Sequence, residues 1–512
     1  MGRQFADPIL FFMKLLYFIL IYMQGLTLFA QYKHDYTWTM GYIGNPNDPQ
    51  NYILDFNNGK LQVYKYPLST MFGTVNANFS DQNGSLLAYT NGCILLNKQG
   101  NLMENGDNLN PGYIQQGTWC EQGYPGGNQS HFFLQDPKNI DLIWLFHNSY
   151  SESIQYPTST FLRISKIDLS YNNGLGKVIE KNTKIVIDSM ITFGELSATR
   201  HTNNIDWWIV SPTARPDTLF RTFLLTGSGL QGPNEQHVGK PLDYIYSGGG
   251  AFKFNPQGTK MARYGDGGQG VFLYDFDRQT GQLSNFMELD TPKYASLGGA
   301  EFSPSGRYLY VSTRRELFQY DMEAADIGKS VIRIDSLDGF KTWTTVTFGN
   351  LQLGPDCKIY VVPTTSVEYF GVIHYPDNKG KDCDFKPHSL LLPSYSRLTR
   401  IYYPNYRTGV APICDSTIRF VTNNTEIKNY LKSISVYPNP AKDMIHITLA
   451  GTLINNSNID LIDAMGKIIF SQTLEQGKDR TQMNIQYFPS GIYFLKLQDQ
   501  SGILGLEKIV IN

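Results

Sequence analysis

Histidine side chains are the groups in this chain best suited to acid–base chemistry near neutral pH, because an imidazole both takes and gives a proton there. His131, His147 and His201 lie in neighbouring units of an imperfect repeat, and Glu121 or Glu195 could act as a carboxylate partner. Such a pair would suit a lyase or hydrolase whose site lies where loops of several units meet. The alternative is that each histidine is a hydrogen-bonded core or turn residue.

A glycine-rich stretch, GDGGQG at residues 265–270, fits the pattern G-x-G-x-x-G. A dinucleotide site needs this loop to open a helix whose N-terminus faces the pyrophosphate. Here VFLYDFD follows, and its alternation predicts a strand. We therefore interpret the stretch as a hairpin and predict no cofactor. No G-x-S-x-G, H-E-x-x-H or P-loop motif occurs in the sequence.

Three aspartates offer oxygen ligands for calcium. Asp266, Asp275 and Asp277 are close in sequence, but the loop signature D-x-[DN]-x-[DN]-G with a distal Glu is missing. Aspartates in β-turns commonly accept hydrogen bonds from the backbone instead. Calcium is thus an option that the pattern only weakly favours, and no other metal is predicted.

Tryptophans could provide stacking surfaces for a glycan. The residues concerned are Trp119, Trp144, Trp207, Trp208 and Trp343. Trp207 and Trp208 are adjacent, so a strand directs them to opposite faces and at least one should lie in the core. A glycan is therefore one predicted ligand class, and a protein ligand is the other.

Composition favours a β-rich, multidomain chain and excludes some partners. The 512 residues carry a formal net charge of -2, and only 17% are charged. The chain therefore lacks the excess of basic residues that binding to nucleic acid requires. Tyrosine, phenylalanine and glycine are abundant, with 33, 30 and 47 copies. Aromatic residues fill pleated faces and glycines form tight turns, which indicates many short strands.

An imperfect repeat organises residues 31–421. Six copies share an apolar residue, a turn and a strand, and they recur at intervals of about fifty residues, enough for four short strands each. The equivalent apolar residues are Phe79, Phe133, Ala198, Phe254, Phe302 and Leu353. A repeated small sheet needs neighbours on both sides, which predicts a β-propeller of six or seven blades. We predict seven, the last blade combining residues 52–67 with strands around 398–421; the alternative is a double-sheet sandwich.

Both ends of the chain differ from this repeat. Residues 1–30 read as a signal peptide, with Lys14 before an apolar stretch and the true start at Met13; a membrane anchor is the alternative. No other segment could span a membrane. After a polar linker at 422–433, alternating strands at 434–512 predict a small Ig-like β-sandwich, so the whole chain is all-β.

Export would permit disulfides among the five cysteines. Cys357 and Cys383 fall in one repeat and could staple its strands, and Cys93 with Cys120 is a second possible pair. This leaves Cys414 over. No CxxC or Cys/His cluster predicts a zinc site.

The tail resembles the type A C-terminal sorting domain of proteins secreted through the type IX (Por) system of Bacteroidetes. The resemblance rests on VYPNPA, DLIDAMGKII, FPSGIYFLKL and EKIVIN in family order. The matching residues are Tyr437, Pro438, Asn439, Pro440, Gly466, Gly491, Tyr493 and Lys508. The resemblance implies that residues 434–512 are an address, read by the type IX secretion machinery after Sec export.

The body is similar to WD40/YVTN-like propellers carried by secreted proteins of the same bacteria, through LLAYTNGCILLNKQGNLMENGD, LQLGPDCKIYVV and YYPNYRTG. This resemblance implies a fold and a compartment, either the outer-membrane surface or the medium, without supplying chemistry. We predict that the propeller is a ligand- or protein-binding module. The alternatives are a secreted lyase or hydrolase acting on polysaccharide or peptide at the propeller channel, and an adhesive scaffold.

Overall fold

The chain is built from antiparallel β-sheets, as its composition predicts. The structure is a computed structural model that describes residues 32–41, 51–66, 68, 70–150, 159–187, 191–192, 194–213, 218–241, 250–266, 268–289, 297–342, 344–396, 401–410, 412–420, 434–449, 456–463, 467–499 and 502–512. The predicted signal peptide (1–30), its start at Met13 and the predicted linker (422–433) lie outside these residues.

Seven sheets follow one another between residues 37 and 396, each made of strands consecutive in sequence. The first two sheets are β1 (Thr37–Met40), β2 (Tyr52–Asp55), β3 (Gln62–Lys65) and β4 (Ala77–Ser80), β5 (Leu86–Thr90), β6 (Leu95–Asn97). The next two are β7 (His131–Gln135), β8 (Leu142–Tyr150), β9 (Ser159–Asp168), β10 (Lys177–Ile187) and β11 (Ser197–Arg200), β12 (Trp207–Pro212), β13 (Leu219–Thr226), β14 (Gly229–His237).

Three further four-stranded sheets complete the series. The fifth is β15 (Ala251–Phe254), β16 (Lys260–Gly265), β17 (Gly270–Asp277) and β18 (Gln282–Leu289). The sixth and seventh are β19 (Gly299–Phe302), β20 (Tyr308–Ser312), β21 (Glu316–Asp321), β22 (Ile332–Ser336) and β23 (Asn350–Leu353), β24 (Ile359–Val362), β25 (Val367–Ile373), β26 (Phe385–Ser396).

Helical structure within the described ranges is limited to single turns. These are Tyr113–Gln116, Thr118–Glu121, Tyr171–Gly174, Gly328–Ser330 and Gly380–Cys383. No helix in this part of the chain is long and apolar enough to cross a membrane.

The seven sheets are the blades of a propeller. Successive blades contact each other through their first strands, for example β4 with β7, β15 with β19 and β19 with β23. Blades 3 and 4 are joined by a backbone bond from the Leu196 N–H to the Gln129 carbonyl, 3.1 Å. The ring closes where β3 packs on β26 and the rings of Trp38 and Tyr360 lie 5.3 Å apart. The prediction of seven blades is confirmed.

The sequence repeat marks the first strand of blades 2 to 7, since its six apolar residues lie on β4, β7, β11, β15, β19 and β23. In blades 2, 5 and 6 this strand ends in a turn with Gly84, Gly258 or Gly306 at φ 90°, 72° and 76°. Each glycine N–H donates to the carbonyl three residues earlier, at 2.8–3.0 Å. Only glycine adopts this backbone without strain, which explains why the turn pattern recurs in the sequence.

Blade 1 differs from its prediction. Residues 52–55 and 62–65 are strands, as expected, but the blade's remaining strand is β1. Of the described residues around 398–421, only Arg419 adds to this blade, through a parallel bridge to Lys60. Residues 401–408 lie in the centre of the ring instead, where their tyrosines bond to the first strands of other blades.

The C-terminal residues form the predicted sandwich. One sheet contains β27 (Ile434–Tyr437), β28 (Met444–Leu449) and β31 (Arg480–Asn484); the other contains β30 (Ile468–Leu474), β29 (Ser457–Ile462), β32 (Gly491–Asp499) and β33 (Gly502–Ile511). Ile445, Ile447, Ile459, Leu461 and Leu495 meet in one buried core between the sheets. Alternation puts their polar neighbours outside, so the small Ig-like β-sandwich is confirmed.

The disulfide prediction needs one correction. The structure contains Cys93–Cys120, as one alternative proposed, but Cys357 pairs with Cys414 and not with Cys383. Cys383 is a buried free thiol in the core between blades 6 and 7. Cys357 lies in the turn after β23. After the chain leaves the centre of the ring, residues 412–414 run to that turn, which brings Cys414 to Cys357.

Candidate functional site

The centre of the propeller is filled by the chain itself. Residues 401–408, which we call the channel segment, follow blade 7 and pass among the first strands of the blades. The Asn350 side-chain amide donates to the Ile401 carbonyl at 2.9 Å, and the Tyr403 N–H donates to the Gln352 side chain at 3.3 Å. The channel segment therefore runs alongside β23 in the same direction, and it occupies the channel.

Three tyrosines fix the channel segment to three different blades. Their hydroxyls bond to Ser197 and the Ala198 N–H for Tyr402, to Asn78 for Tyr403, and to the Phe133 carbonyl for Tyr406. Burial raises the pKa of all three phenols, so each remains a protonated donor at physiological pH. The segment is therefore anchored by specific polar bonds as well as by packing.

A buried ion pair holds the end of this segment. The two terminal nitrogens of Arg407 donate to the two carboxylate oxygens of Asp35 at 2.6 and 2.8 Å. Arg407 also donates to the carbonyls of Ile413 and Tyr32, at 2.6 and 3.2 Å. This bidentate geometry satisfies both charges away from water, as a buried pair requires.

Further charged pairs link the blades around the channel. The Lys253 ammonium in blade 5 lies 3.0 Å from the Glu301 carboxylate in blade 6 and 2.8 Å from the Gln352 side chain in blade 7. Burial lowers the pKa of Lys253, and Glu301 partly opposes that shift. Glu195, before blade 4, accepts two bonds from Arg263 of blade 5, at 2.7 and 2.9 Å. The charges of Lys253, Glu301, Arg263 and Glu195 are therefore paired with each other across blade boundaries.

Little space remains beside the channel segment. The cavity there has a volume of about 30 Å³, and it is lined by Asp35, Lys253, Glu301, Gln352 and Arg407 among others. That volume accepts one or two water molecules. Sites for small-molecule ligands typically offer several hundred Å³. This cavity therefore has no room for a sugar or a peptide.

Two of the three candidate histidines are structural. His131 and His147 face each other on β7 and β8 of one blade, with ring centroids 5.7 Å apart. Asn110 bridges them, at 2.9 Å from His131 Nε2 and 2.6 Å from His147 Nδ1. Burial lowers the pKa of His131 to about 3, and that of His147 falls well below its usual range. Both are thus neutral, hydrogen-bonded core residues, which is the alternative that the sequence left open.

The other predicted acid–base residues do not join them. His201 lies in the turn between β11 and β12, where its Nδ1 accepts the Asn203 N–H at 3.1 Å. Glu121 is exposed at the end of a helical turn. Glu195 is buried, which raises the pKa of its carboxyl, and it is paired with Arg263. The histidines and carboxylates that could have converged in the channel are therefore not brought together there, which agrees with the alternative of core and turn residues.

The buried histidines predict an acid-sensitive propeller. An unfolded histidine takes up a proton near pH 6.5, whereas His131 stays neutral in the fold down to about pH 3. Stability that is fully present above pH 6.5 is therefore lost as the pH falls toward 3. Between neutral pH and about pH 4.5, we expect the unfolding free energy, from urea titration, to fall by ~2 kcal/mol less in His131→Gln than in the wild type. Equal losses in the two proteins would contradict this assignment.

The three aspartates considered as calcium ligands have other partners. Asp275 accepts bonds from Lys260 at 2.6 Å and from Asn285 at 2.7 Å. Asp277 caps a turn, accepting from the Gln279 N–H and the Thr280 hydroxyl, both at 2.8 Å. Asp266 accepts the Leu297 N–H at 2.7 Å. The described residues contain no group of three or more His, Cys, Asp or Glu placed to hold a metal.

The glycine-rich stretch is a hairpin, as interpreted. Gly265 ends β16 and pairs with Gly270, which begins β17. A strand follows the glycines here, whereas a dinucleotide site needs the N-terminus of a helix.

The tryptophans do not form one stacking face. Trp144, Trp207 and Trp208 are buried, and Trp343 lies outside the described residues. Trp119 is the exception, since 53% of its surface is exposed. It lies in an insertion between β6 and β7, next to Cys120, whose disulfide to Cys93 fixes this insertion to blade 2. Tyr113 in the same insertion is 49% exposed.

The predicted sorting motif lies at the first turn of the sandwich. Tyr437 ends β27, and its ring stacks on His446 with centroids 5.2 Å apart. Asn439 reaches the last strand: its amide donates to the Lys508 carbonyl at 2.8 Å, and its carbonyl oxygen accepts the Val510 N–H at 2.9 Å. The turn therefore ties the first strand of the sandwich to the last.

The remaining motif residues also have identifiable positions. Pro438 and Pro440 flank Asn439 in this turn, and Gly491 begins β32. The Tyr493 hydroxyl donates to the Pro489 carbonyl at 2.8 Å, which stabilises the turn before β32. Gly466 lies outside the described residues.

The outer face of the three-stranded sheet carries a groove of about 300 Å³. The strand register aligns Tyr437, His446 and Gln482 in one row, with Thr448 and Arg480 in the next. All five side chains line the groove. This face presents an aromatic ring, an imidazole and a guanidinium to an incoming partner.

Sequence reasoning missed the channel segment. YYPNYR places three tyrosines and an arginine within six residues, and these side chains are buried. The density of large side chains in this stretch is a signal that could have predicted its burial. No local pattern indicates which strands these side chains contact. That information depends on closure of the ring.

Comparison with known proteins identifies the tail. Residues 435–512 match the family described as the secretion system C-terminal sorting domain. This domain indicates export through the type IX secretion system to the cell surface or the extracellular space, and it implies contact with that machinery. Over 98 residues, 19% of this chain, the sequence is 30% identical to a funoran endo-beta-hydrolase of Wenyingzhuangia aestuarii. The match covers 13% of that enzyme's length.

Solved structures with similar architecture include other propeller proteins. The periplasmic gluconolactonase PpgL of Pseudomonas aeruginosa is 12% identical, with a TM-score of 0.38 over 88% of this chain and 98% of that chain. A putative 6-phosphogluconolactonase of Bacteroides uniformis is 8% identical, with a TM-score of 0.37 over 88% of this chain and 99% of that chain. Similarity at this level carries no activity over to this chain.

Proposed function

We propose that the propeller is a ligand-binding module that the sorting domain delivers to the cell surface or the medium. The observation that carries this proposal is the filled channel. Because the cavity beside the channel segment is only about 30 Å³, we place the ligand on the outside of the described propeller. In this proposal the signal peptide (1–30) is removed on export, the linker (422–433) separates the two units, and residues 31–421 form the mature binding module.

The alternative of a lyase or hydrolase in the channel has less support. Its acid–base residues would have to be free, close together and next to substrate. Instead, His131 and His147 are bonded to Asn110, and Glu195 is bonded to Arg263. The charged groups that do reach the channel are already paired with each other.

A glycan is the ligand class that we favour. Exposed aromatic rings offer a flat apolar surface for the C–H face of a sugar, and ordering them beforehand reduces the entropy lost on binding. Trp119 meets both conditions, since it is half exposed and lies beside a disulfide-bonded residue. Amide side chains for hydrogen bonds surround it in sequence at Gln115, Gln116 and Gln122.

A glycan array probed with the mature propeller tests this proposal. We expect selective binding, and we expect Trp119→Ala to weaken it about tenfold, equivalent to ~1.4 kcal/mol of lost stacking. Tyr375→Ala is the matched control, because Tyr375 is also an exposed aromatic residue, 61% accessible, on blade 7. Absence of glycan binding would exclude this ligand class, and equal losses in both variants would exclude Trp119 as its site.

For the sandwich, we propose that the groove beside Tyr437 and His446 is where the secretion machinery reads the domain. The opposite face of that sheet is buried in the core, so it is not available to a partner. Asn439, Pro438 and Pro440 act indirectly in this proposal, by holding Tyr437 at the edge of the groove.

A further inference from the structure

The junction between blade 1 and blade 7 is not made by a shared strand in the described residues. Blade 1 consists of the first three strands of the propeller, and blade 7 of its last four. They meet by packing of β3 against β26 and by the contact of Trp38 with Tyr360. The other junctions also lack a shared strand, so packing between separate sheets holds this junction as it holds the others.

Residues 401–410 and 412–420 lie across the junction. The channel segment bonds to blades 2, 3, 4 and 7, and Lys253 of blade 5 lies 4.9 Å from the Tyr402 ring centroid. Farther along, the Asp415 N–H donates to the Pro355 carbonyl of blade 7 at 2.7 Å. Arg419 then exchanges backbone bonds with Gly59 and Leu61 of blade 1, both at 2.9 Å. One stretch of chain thus contacts both sides of the junction and most blades between them.

The disulfide Cys357–Cys414 attaches this stretch to blade 7. Cys357 occupies the turn position that Gly84, Gly258 and Gly306 occupy in other blades, and its φ of 63° is likewise left-handed. Its N–H donates to the Gly354 carbonyl at 3.2 Å, so the turn is the same. A side chain is disfavoured in this conformation. A cysteine at a glycine position therefore indicates that the thiol is needed at this point.

We propose that residues 401–410 and 412–420 act as a redox-set lock that seals the propeller, with the Cys357–Cys414 disulfide holding the channel segment between the blades. The lock belongs entirely to the propeller, so its contacts do not depend on the sorting domain. Closing it joins the two sulfurs and releases two protons and two electrons to a disulfide-bearing oxidoreductase of the exported compartment, which becomes a dithiol. Without the disulfide, the segment is held by its non-covalent contacts alone and leaves the channel more often.

Amide hydrogen exchange of the full mature chain tests the lock. We compare the wild type with Cys357→Ser/Cys414→Ser, and we use Cys93→Ser/Cys120→Ser as the matched control for losing a disulfide elsewhere. We expect exchange in residues 401–408 to rise at least about tenfold in the first variant, because opening of the segment becomes more frequent. The control should change only around residues 93–124. Where the first variant accumulates poorly, reducing the folded Cys93→Ser/Cys120→Ser variant with dithiothreitol gives the comparison, because Cys357–Cys414 is then the disulfide that opens.

Two results would overturn the proposal. One is unchanged exchange of residues 401–408 after loss of the Cys357–Cys414 bond. The other is an equal rise in the control, which would mean that the segment responds to general destabilisation.

A protease site placed within 422–433 tests whether the lock is independent of the sorting domain. Exchange in the channel segment should be the same before and after release of residues 434–512, and an increase on release would contradict a lock belonging to the propeller alone.

Discussion

Replacing Arg407 by methionine should destabilise the propeller by about 3–5 kcal/mol, because it leaves the Asp35 carboxylate buried without a partner. The two side chains are only 8% and 4% exposed, so water cannot replace the lost charge. Methionine keeps most of the apolar stem, which restricts the change to the guanidinium and its bonds. The measurement is the midpoint of urea unfolding, converted to free energy with the slope of each transition.

Two matched variants separate the ion pair from general damage. The double variant Asp35→Leu/Arg407→Met removes both charges and should recover most of the loss, since an apolar pair of similar volume can replace a buried ion pair. Lys329→Met removes a lysine that is 87% exposed and paired with Asp326, and it should leave the midpoint unchanged. A loss below ~1 kcal/mol in Arg407→Met would mean that the channel segment is not anchored by this pair.

Blades 2 to 7 could be predicted from sequence because each begins with the local signals of the repeat, whereas the composition of blade 1 was predicted wrongly. The turn glycines Gly84, Gly258 and Gly306 and the apolar residues before them set the start of a blade, whatever lies across the ring. The sandwich was predictable for the same reason, since alternation in residues 434–512 specifies strands with one buried face. Local periodicity was sufficient wherever neighbours in space are also neighbours in sequence.

The channel segment and the disulfide were not predictable, because both depend on contacts between distant residues. Tyr403 bonds to Asn78, 325 residues away, and Arg407 bonds to Asp35 across nearly the whole propeller. Cys357 and Cys383 are closer in sequence than Cys357 and Cys414, so sequence distance favoured the wrong pair. Ring closure decides these contacts, and no short window of sequence contains it.

The histidines show a related limit. A sequence gives the residue types that could do acid–base chemistry but not their hydrogen-bond partners. His131 and His147 have a bridging partner in Asn110, which lies in the insertion after β6. Once that residue is in place, both rings are satisfied, neutral and inaccessible to substrate.

Removing residues 434–512 should have the largest effect on the protein in the cell. The propeller without them would still be exported across the inner membrane but would remain in the periplasm, because the domain that the outer-membrane machinery reads is missing. It should also remain folded, since its core and both disulfides lie outside the deleted residues. Loss of delivery without loss of folding is the expected combination.

A matched replacement tests whether the secretion machinery recognises this particular domain or accepts any folded C-terminal domain of similar size. In this control, residues 434–512 are exchanged for an unrelated β-sandwich of similar length, with residues 1–433 unchanged. The control should be retained in the periplasm like the deletion. Delivery of the control would mean that any folded tail suffices, and the groove beside Tyr437 would then have no part in recognition.

The most direct measurement is fractionation of cells that produce the full chain, the deletion or the replacement. Antibody against the propeller measures its amount in periplasm, outer membrane and medium, and intact disulfides report its folding. We predict the full chain at the surface or in the medium, and both altered chains folded in the periplasm. Appearance of the deletion outside the cell in wild-type amounts would contradict the account, because the propeller would then carry its own route of export.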